Sequence, residues 1–230
     1  MKSTSTKALA KSVALAIGVL AAASANADVT IGVANTNLCS PFGCNFGTPT
    51  VGQSYDYEQI FVASAFGGKT TFDSISFFDT AYPDSKVAAG TYDITFSTTT
   101  AALGTEYGAI PLANTSTYFD GPLSGSVGAK FTINGSLYTY DPTAGNLVME
   151  VVVTNQAYGY FGTLDADGSG DSLSRAYQIT NESGFIRADD IGVVTEFGIT
   201  STAPESPNAK LLLVGLAAVG AALRRQSVRA

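Results

Sequence analysis

The clearest pattern along the chain is a strict alternation of apolar and polar side chains. Thr91–Phe96 reads Thr-Tyr-Asp-Ile-Thr-Phe, so every second residue is apolar, as a strand with one buried face requires. The same period of two relates Leu147, Met149, Val151 and Val153. Comparable patterns predict further strands at Tyr57–Ala65, Thr70–Phe78, Ser126–Ile133, Arg175–Thr180 and along Ile191, Val193, Phe197 and Ile199. The middle of the chain is therefore predicted to be a succession of β-strands.

Residues that favour turns separate these strands. They are Gly67-Gly68, Pro83-Asp84, Asp120-Gly121-Pro122, Asn134-Gly135, Asp141-Pro142 and Asp167-Gly168. The Asn134-Gly135 pair lies between two strand-like runs and predicts a tight hairpin. Roughly eight to ten short strands with frequent turns favour an all-β fold. We expect a β-sandwich with jelly-roll-like connections, and a closed barrel is the alternative.

The first 27 residues have the three parts of a secretory signal peptide. The basic start consists of Lys2, Lys7 and Lys11. An apolar run follows at 13–23, and Ala25 and Ala27 supply the small side chains that signal peptidase accepts, so cleavage is expected before Asp28. The alternative is an uncleaved anchor, but the run is shorter than the roughly 20 residues that span a bilayer. A signal helix over 1–27 and export from the cytoplasm are therefore predicted.

A second three-part pattern lies at 204–230. It begins with a Pro-rich stretch that consists of Pro204, Glu205, Ser206 and Pro207. Such a stretch cannot continue a helix or a strand. Residues 211–223 follow without a polar side chain, and the arginine cluster of 224–229 contains Arg224 and Arg225. Basic residues resist translocation, so this end is expected to stay on the cytoplasmic side. The tail is therefore predicted to be a transmembrane helix that holds the exported region, 28–203, transiently in the inner membrane.

This tail, behind a signal peptide, resembles the PEP-CTERM sorting signal of Gram-negative bacteria. In that family an exosortase, a membrane-embedded cysteine-dependent enzyme, acts at or beside the Pro-Glu motif. The released domain then moves to the cell surface or the exopolysaccharide matrix. The resemblance places the motif at Pro204 and Glu205 and the retention charges at Arg224 and Arg225. The usual third motif residue is Pro, where this chain has Ser206; a plain C-terminal anchor is the alternative.

Parts of the region between the two signals also resemble a β-rich domain that recurs among PEP-CTERM proteins. The stretches that carry this resemblance include Ile75–Thr80, Gly90–Tyr92, Tyr140–Leu147 and Val194–Phe197. They consist of turns and strand edges, and the family has no established catalytic activity. The resemblance therefore implies a fold and a destination rather than a reaction.

Charge and composition exclude several classes of function. Residues 28–203 contain 5 basic and 18 acidic side chains, which leaves a net charge of −13. A surface of that sign repels phosphate backbones, so nucleic acid is not an expected partner. The chain has no His, which excludes Ser-His-Asp and Cys-His catalysis and any His-ligated metal.

Cys39 and Cys44 are the two cysteines of the chain, and a Pro and a Gly lie between them. In an oxidising compartment two thiols this close are expected to pair. A redox motif would prefer the tighter CxxC spacing, and a metal site would need further soft ligands. A structural disulfide is therefore predicted.

A candidate calcium loop lies at 165–171. Asp165, Asp167, Ser169 and Asp171 alternate with small residues, as in the first half of an EF-hand loop, where oxygen ligands converge on one hard cation. The twelfth position is Ala176 instead of Glu, so Asp189 or Asp190 would have to complete the shell. The alternative is an exposed hairpin loop without a ligand. Calcium is accordingly the one cofactor that the sequence suggests.

Two further sets of side chains leave alternatives open. Any two of the acidic residues, suitably spaced, would suit glycoside hydrolysis, but sequence spacing does not report the roughly 5–10 Å separation that this chemistry needs. Tyrosines two residues apart are expected to stack on sugars or to pack in the core; they are Tyr55, Tyr57, Tyr138, Tyr140, Tyr158 and Tyr160.

We therefore predict a non-enzymatic exported protein with a structural or adhesive role. A carbohydrate- or calcium-dependent binding module tethered at the cell envelope is the alternative.

Overall fold

A computed structural model describes residues 27–45, 54–82, 84–157, 159–179 and 186–200. Within these residues the chain forms fifteen β-strands, and its helical structure is limited to two 3₁₀ turns, Ala63–Ala65 and Pro142–Ala144. The strands are β1 (Val29–Ile31), β2 (Thr36–Leu38), β3 (Cys44–Asn45), β4 (Ser54–Phe61), β5 (Thr70–Phe78), β6 (Lys86–Thr99), β7 (Ala113–Ser126), β8 (Lys130–Tyr140), β9 (Asn146–Thr154), β10 (Gly159–Tyr160), β11 (Leu164–Asp167), β12 (Leu173–Ile179), β13 (Ile186–Asp189), β14 (Gly192–Val193) and β15 (Thr195–Ile199).

The strands form four sheets in which neighbours are antiparallel. The largest sheet has the order β13-β12-β4-β9-β6-β7, and the second has the order β1-β15-β5-β8. A three-stranded sheet, β14-β11-β2, and the pair β10-β3 complete the fold. The predicted all-β class is therefore confirmed. The predicted helices at the two termini lie outside the described residues.

The six-stranded and four-stranded sheets pack against each other through aromatic rings. Phe61 and Phe96 of the larger sheet meet Phe197 and Phe72 of the smaller one, with ring centroids 5.2 Å (Phe61–Phe197) and 5.1 Å (Phe72–Phe96) apart. Such edge-to-face pairs add to the free energy gained by burying the rings. The main core of the protein lies between these two sheets.

The alternation that predicted strands corresponds to a buried face. Leu147, Met149, Val151 and Val153 of β9 are each at most 1% exposed, and they point towards the four-stranded sheet. The predicted strand is therefore confirmed. The intervening residue Val148 is buried as well, so both faces of β9 are covered, and the strand lies at the centre of its sheet between β4 and β6.

The hairpin predicted at Asn134-Gly135 is wrong. Strand β8 runs through this pair without a turn, and its register against β5 shifts between Phe72 and Ser74, which marks a bulge. A Cβ on Gly135 would lie 2.5 Å from the carbonyl oxygen of Tyr118. The glycine therefore permits a close approach of β7 rather than a reversal of the chain.

The turn predicted at Asp120-Gly121-Pro122 is also wrong. These residues lie inside β7, where Gly121 pairs with Tyr92 and Pro122 with Thr91. Strand β7 is at the edge of the six-stranded sheet. Proline is tolerated on an edge strand because its missing N–H would have faced solvent.

Candidate functional site

Strand β11 carries the first two residues of the predicted calcium loop. Asp165 and Asp167 lie on the same face of this strand because alternate residues point the same way. Their exposed fractions are 3% and 2%, respectively. Buried carboxylates need partners, and both of these have protein donors.

Asp167 holds together the segment after β1 and the turn after β11. Its Oδ2 accepts a hydrogen bond from Val33 N at 2.9 Å, and its Oδ1 accepts from Asn35 Nδ2 at 3.1 Å and from Ser169 N at 2.8 Å. Burial by itself raises the pKa of Asp167, but hydrogen bonds from Ser169, Val33 and Asn35 outweigh it and leave the pKa below its ordinary value. The carboxylate thus acts as an internal acceptor.

Asp165 makes a similar connection elsewhere. Its Oδ1 accepts hydrogen bonds from the backbone N and from the hydroxyl of Thr80, both at 3.1 Å. Thr80 belongs to the connection between β5 and β6. The side chain of Asp165 therefore joins the three-stranded sheet to a loop of the main body.

Of the other predicted calcium ligands, Ser169 contacts Asp167 through its backbone N–H, whereas Asp171, Asp189 and Asp190 have other surroundings. Asp171 is exposed, and Asp189 accepts two 2.8 Å hydrogen bonds from the guanidinium of Arg175. Asp190 lies beside Gly170. Across the ranges that the structure describes, no three carboxylate or thiol side chains are arranged to hold a metal ion. Calcium binding stays a prediction.

The loop between the two cysteines is closed by a disulfide. Cys39 and Cys44 are joined by an S–S bond of 2.10 Å. Between them, Phe42 is 1% exposed, and its ring lies 4.8 Å from the ring of Phe77 and 5.6 Å from that of Tyr92. The closed loop inserts an aromatic side chain into the core, which is a structural role.

The tyrosines singled out in the sequence divide into two groups. Tyr57, Tyr138 and Tyr140 are buried in the core, and the hydroxyl of Tyr140 donates to Gly145 O at 2.6 Å. Tyr160 is instead 65% exposed. The side chains of Tyr55 and Tyr158 lie outside the described part. Core packing therefore accounts for three of the six, and Tyr160 is available to an external partner.

A second group of carboxylates lies on the outer face of the six-stranded sheet, and no sequence motif predicted it. Glu58 of β4 and Glu150 of β9 are opposite each other in register, which places their Cβ atoms about 5 Å apart. Asp56 lies two residues before Glu58, on the same face of β4. Thr95 of β6 is opposite Glu150 on its other side and donates to its Oε2 at 3.1 Å. Three acidic side chains therefore share one patch of the sheet.

Glu58 is the unusual member of this group. It is 4% exposed, and its Oε2 is buried without a hydrogen-bond partner among the described residues. Burial, the charge of Glu150 and the charge of Asp56, in that order, raise the pKa of Glu58 to about 7. The pKa of Glu150 is also raised, mainly by burial. Glu58 therefore takes up or releases a proton near neutral pH.

One sequence feature could have indicated this patch. Val148 and Val152 make the outer face of β9 apolar, and Glu150 stands between them. A strand that is apolar on both faces is expected to be covered on both faces. A single charge inside such a strand therefore marks a carboxylate that the fold is expected to bury.

The predicted terminal signals lie largely outside the described residues. These residues include neither Ala25 nor the sorting motif Pro204–Pro207 with Arg224 and Arg225. Asp28, the expected first residue after cleavage, is described, and its Oδ1 accepts a hydrogen bond from Ile199 N at 3.1 Å. In the part of the chain with assigned structure, no helix has the length and apolar character to cross a bilayer.

Comparison of the chain with protein-family models, curated proteins and solved structures gives no match. The function of this protein therefore has to be inferred from its own residues.

Proposed function

We propose that this protein is a non-enzymatic exported protein of a Gram-negative bacterium. An exosortase-type system sorts it to the cell surface or the exopolysaccharide matrix, where it has a structural or adhesive role. The proposal is carried by the two sequence patterns at 1–27 and 204–230, which resemble a signal peptide and a sorting signal on either side of an acidic all-β region. Signal peptidase and the exosortase are its partners during export.

Features of the all-β region support a role outside the cytoplasm. A disulfide between Cys39 and Cys44 suits an oxidising compartment. Strands β1 and β15 pair with each other, so the first and last described strands of this region lie side by side. Ring contacts between the two large sheets support the finer assignment of a β-sandwich with jelly-roll-like connections.

Intact mass spectrometry of protein recovered from the surface fraction of a host with an exosortase tests this proposal. We expect the mature chain to begin at Asp28 and to end within or beside Pro204–Pro207. Glu205→Ala should leave the tail attached and the protein in the inner membrane. Ser206→Pro, which restores the family's usual residue, is the matched control and should be processed. A full-length chain in the cytosol would overturn the proposal.

A binding module tethered at the envelope is the second candidate, because the residues Tyr160 and Tyr82 are 65% and 54% exposed, respectively. Exposed tyrosines suit stacking on sugars. Affinity electrophoresis in purified exopolysaccharide separates the two candidates. Saturable retardation of the unaltered protein would favour the module if Tyr160→Ala abolishes it. Leu137→Ala, at another exposed apolar residue, is the control and should still be retarded. Repeating the measurement with calcium and with a chelator tests the calcium dependence.

A further inference from the structure

The segment 100–112, between β6 and β7, crosses the outer face of the six-stranded sheet; we call it the cover loop. Gly104 N donates to the Ser174 hydroxyl of β12 at 2.9 Å, and the Tyr107 hydroxyl donates to Asp56 Oδ2 of β4 at 3.4 Å. Ile110, which is 6% exposed, packs in a small apolar cluster with Ile60, Val148 and Ala176 of the sheet. The loop is therefore attached through a few polar contacts and one apolar patch.

The cover loop and the sheet together enclose Glu58. Glu150 faces it from β9, Asp56 neighbours it on β4, and Tyr107 approaches from the loop. On β12 its register partner is Ala176, which carries no charge. The loop's own carboxylate, Glu106, is exposed.

Among the described residues, the charged groups that act on Glu58 are Glu150 and Asp56, and both are negative. Arg175 neighbours Ala176 along β12, so its side chain leaves the opposite face of the sheet, where it pairs with Asp189. The acidic residue of β6 is Asp93, whose charge contributes to raising the pKa of Glu150. Ionisation of Glu58 would therefore add a negative charge to a buried site that already contains two carboxylates.

We propose that the cover loop is a proton-controlled lid, closed over Glu58 when this carboxyl is protonated and released when it ionises. A neutral carboxyl is tolerated under the loop, whereas a buried carboxylate without a partner is costly. Opening restores water to Glu58 and separates Tyr107 from the acidic cluster. It also exposes the apolar strip of Ile60, Val148 and Ala176.

The direction of the pH dependence follows from the two states of the loop. Burial and like charges hold the pKa of Glu58 at about 7 in the closed state, and solvation on opening returns it towards 4.5. Between these values the open form has lost a proton that the closed form keeps. The ratio of open to closed loop therefore rises by up to about tenfold per pH unit within this window, and it levels off on either side.

Hydrogen–deuterium exchange of the full-length chain between pH 4 and 8 tests the lid. Protection factors for peptides within 100–112, corrected for the intrinsic pH dependence of exchange, should fall as the pH rises through the window. Peptides from β5 should show no such change. Glu58→Gln, which mimics the protonated form, should keep the loop protected at pH 8. Glu106→Gln, at an exposed carboxylate of the same loop, should behave like the unaltered chain.

Further outcomes test the lid, including the case in which Glu58→Gln does not fold. Glu150→Gln removes one like charge and should move the midpoint of loop release to lower pH. A pH-independent protection of the loop in the unaltered chain would overturn the proposal, as would identical pH profiles for Glu58→Gln and the unaltered chain. Restoration of protection at pH 8 by millimolar calcium would show that a cation, instead of a proton, closes the loop.

Discussion

Two buried carboxylates of this protein have opposite electrostatic environments. Asp167 accepts hydrogen bonds from Val33, Asn35 and Ser169, and these lower its pKa. Glu58 has like charges around it and one oxygen without a donor, and its pKa is about 7. Both side chains are nearly inaccessible to solvent. At the scale of the residue, burial raises the pKa of both carboxyl groups, and the hydrogen-bond donors in reach of Asp167 reverse that effect.

Asp167→Asn should destabilise the protein by about 1–3 kcal/mol at pH 7, because the new amide group would oppose the N–H of Val33. The pKa of Asp167 is lowered, so its contribution is fully present above the ordinary value of 3.8 and is lost as the pH falls below it. Urea unfolding at several pH values measures this difference between the two chains. Asp171→Asn, at an exposed position, is the control, and an Asp167→Asn effect that does not diminish in acid would contradict the assignment.

At the scale of the element, the residue pairs that the sequence predicted as turns have two different conformations. Asp141-Pro142 does begin a 3₁₀ turn, where the Asp141 side chain accepts from Thr143 N. Asn134-Gly135 lies within β8 instead. The local preference of such a pair for a hairpin is small compared with the packing of β8 on β5 and β7, so the tertiary contacts determine its conformation.

Gly135→Ala should destabilise the fold by about 1–3 kcal/mol, because the added methyl group has no room beside the backbone of Tyr118. Thermal and urea unfolding of the variant report the loss. Gly67→Ala is the matched control, since a Cβ at Gly67 meets no atom within 4 Å. Equal stability of the two variants would show that β7 can move away from β8 without cost.

At the scale of the whole molecule, one side chain connects several parts of the core. The ring of Phe197 on β15 lies 5.2 Å from Phe61, 4.9 Å from Phe72 and 5.3 Å from Phe66. These contacts come from the six-stranded sheet, the four-stranded sheet and the turn after β4. The last described strand of the chain thereby completes the core.

Phe197→Ala should cost about 3–5 kcal/mol, the range for removing a buried aromatic ring. Urea unfolding followed by circular dichroism measures this loss. Phe78→Ala is the control, because Phe78 lies on the outer face of the same sheet, where its ring is half-buried near Lys130. A similar cost for both variants would mean that β15 is dispensable for the core.

Sequence periodicity predicted the strands in which every second residue is buried. Leu147 to Val153 of β9 and Thr91 to Phe96 of β6 are the clearest cases, because a single buried face imposes a period of two on the sequence. The carboxylates of Asp165 and Asp167 were identified as a group, but their donors come from Thr80, Val33 and Asn35, which are distant in the chain. Spacing along the sequence carries no information about such donors.

By itself, the amino-acid sequence determined the all-β class, the acidic character and the chemistry of the side chains that are present. These properties depend on local periodicity and on composition, which each segment of the chain has whether or not it packs against another segment. Only the tertiary structure decided that Glu58 and Glu150 face each other beneath the 100–112 segment and that Gly135 lies inside a strand. Both depend on strand register and on sheet packing, which join residues that are far apart in the chain.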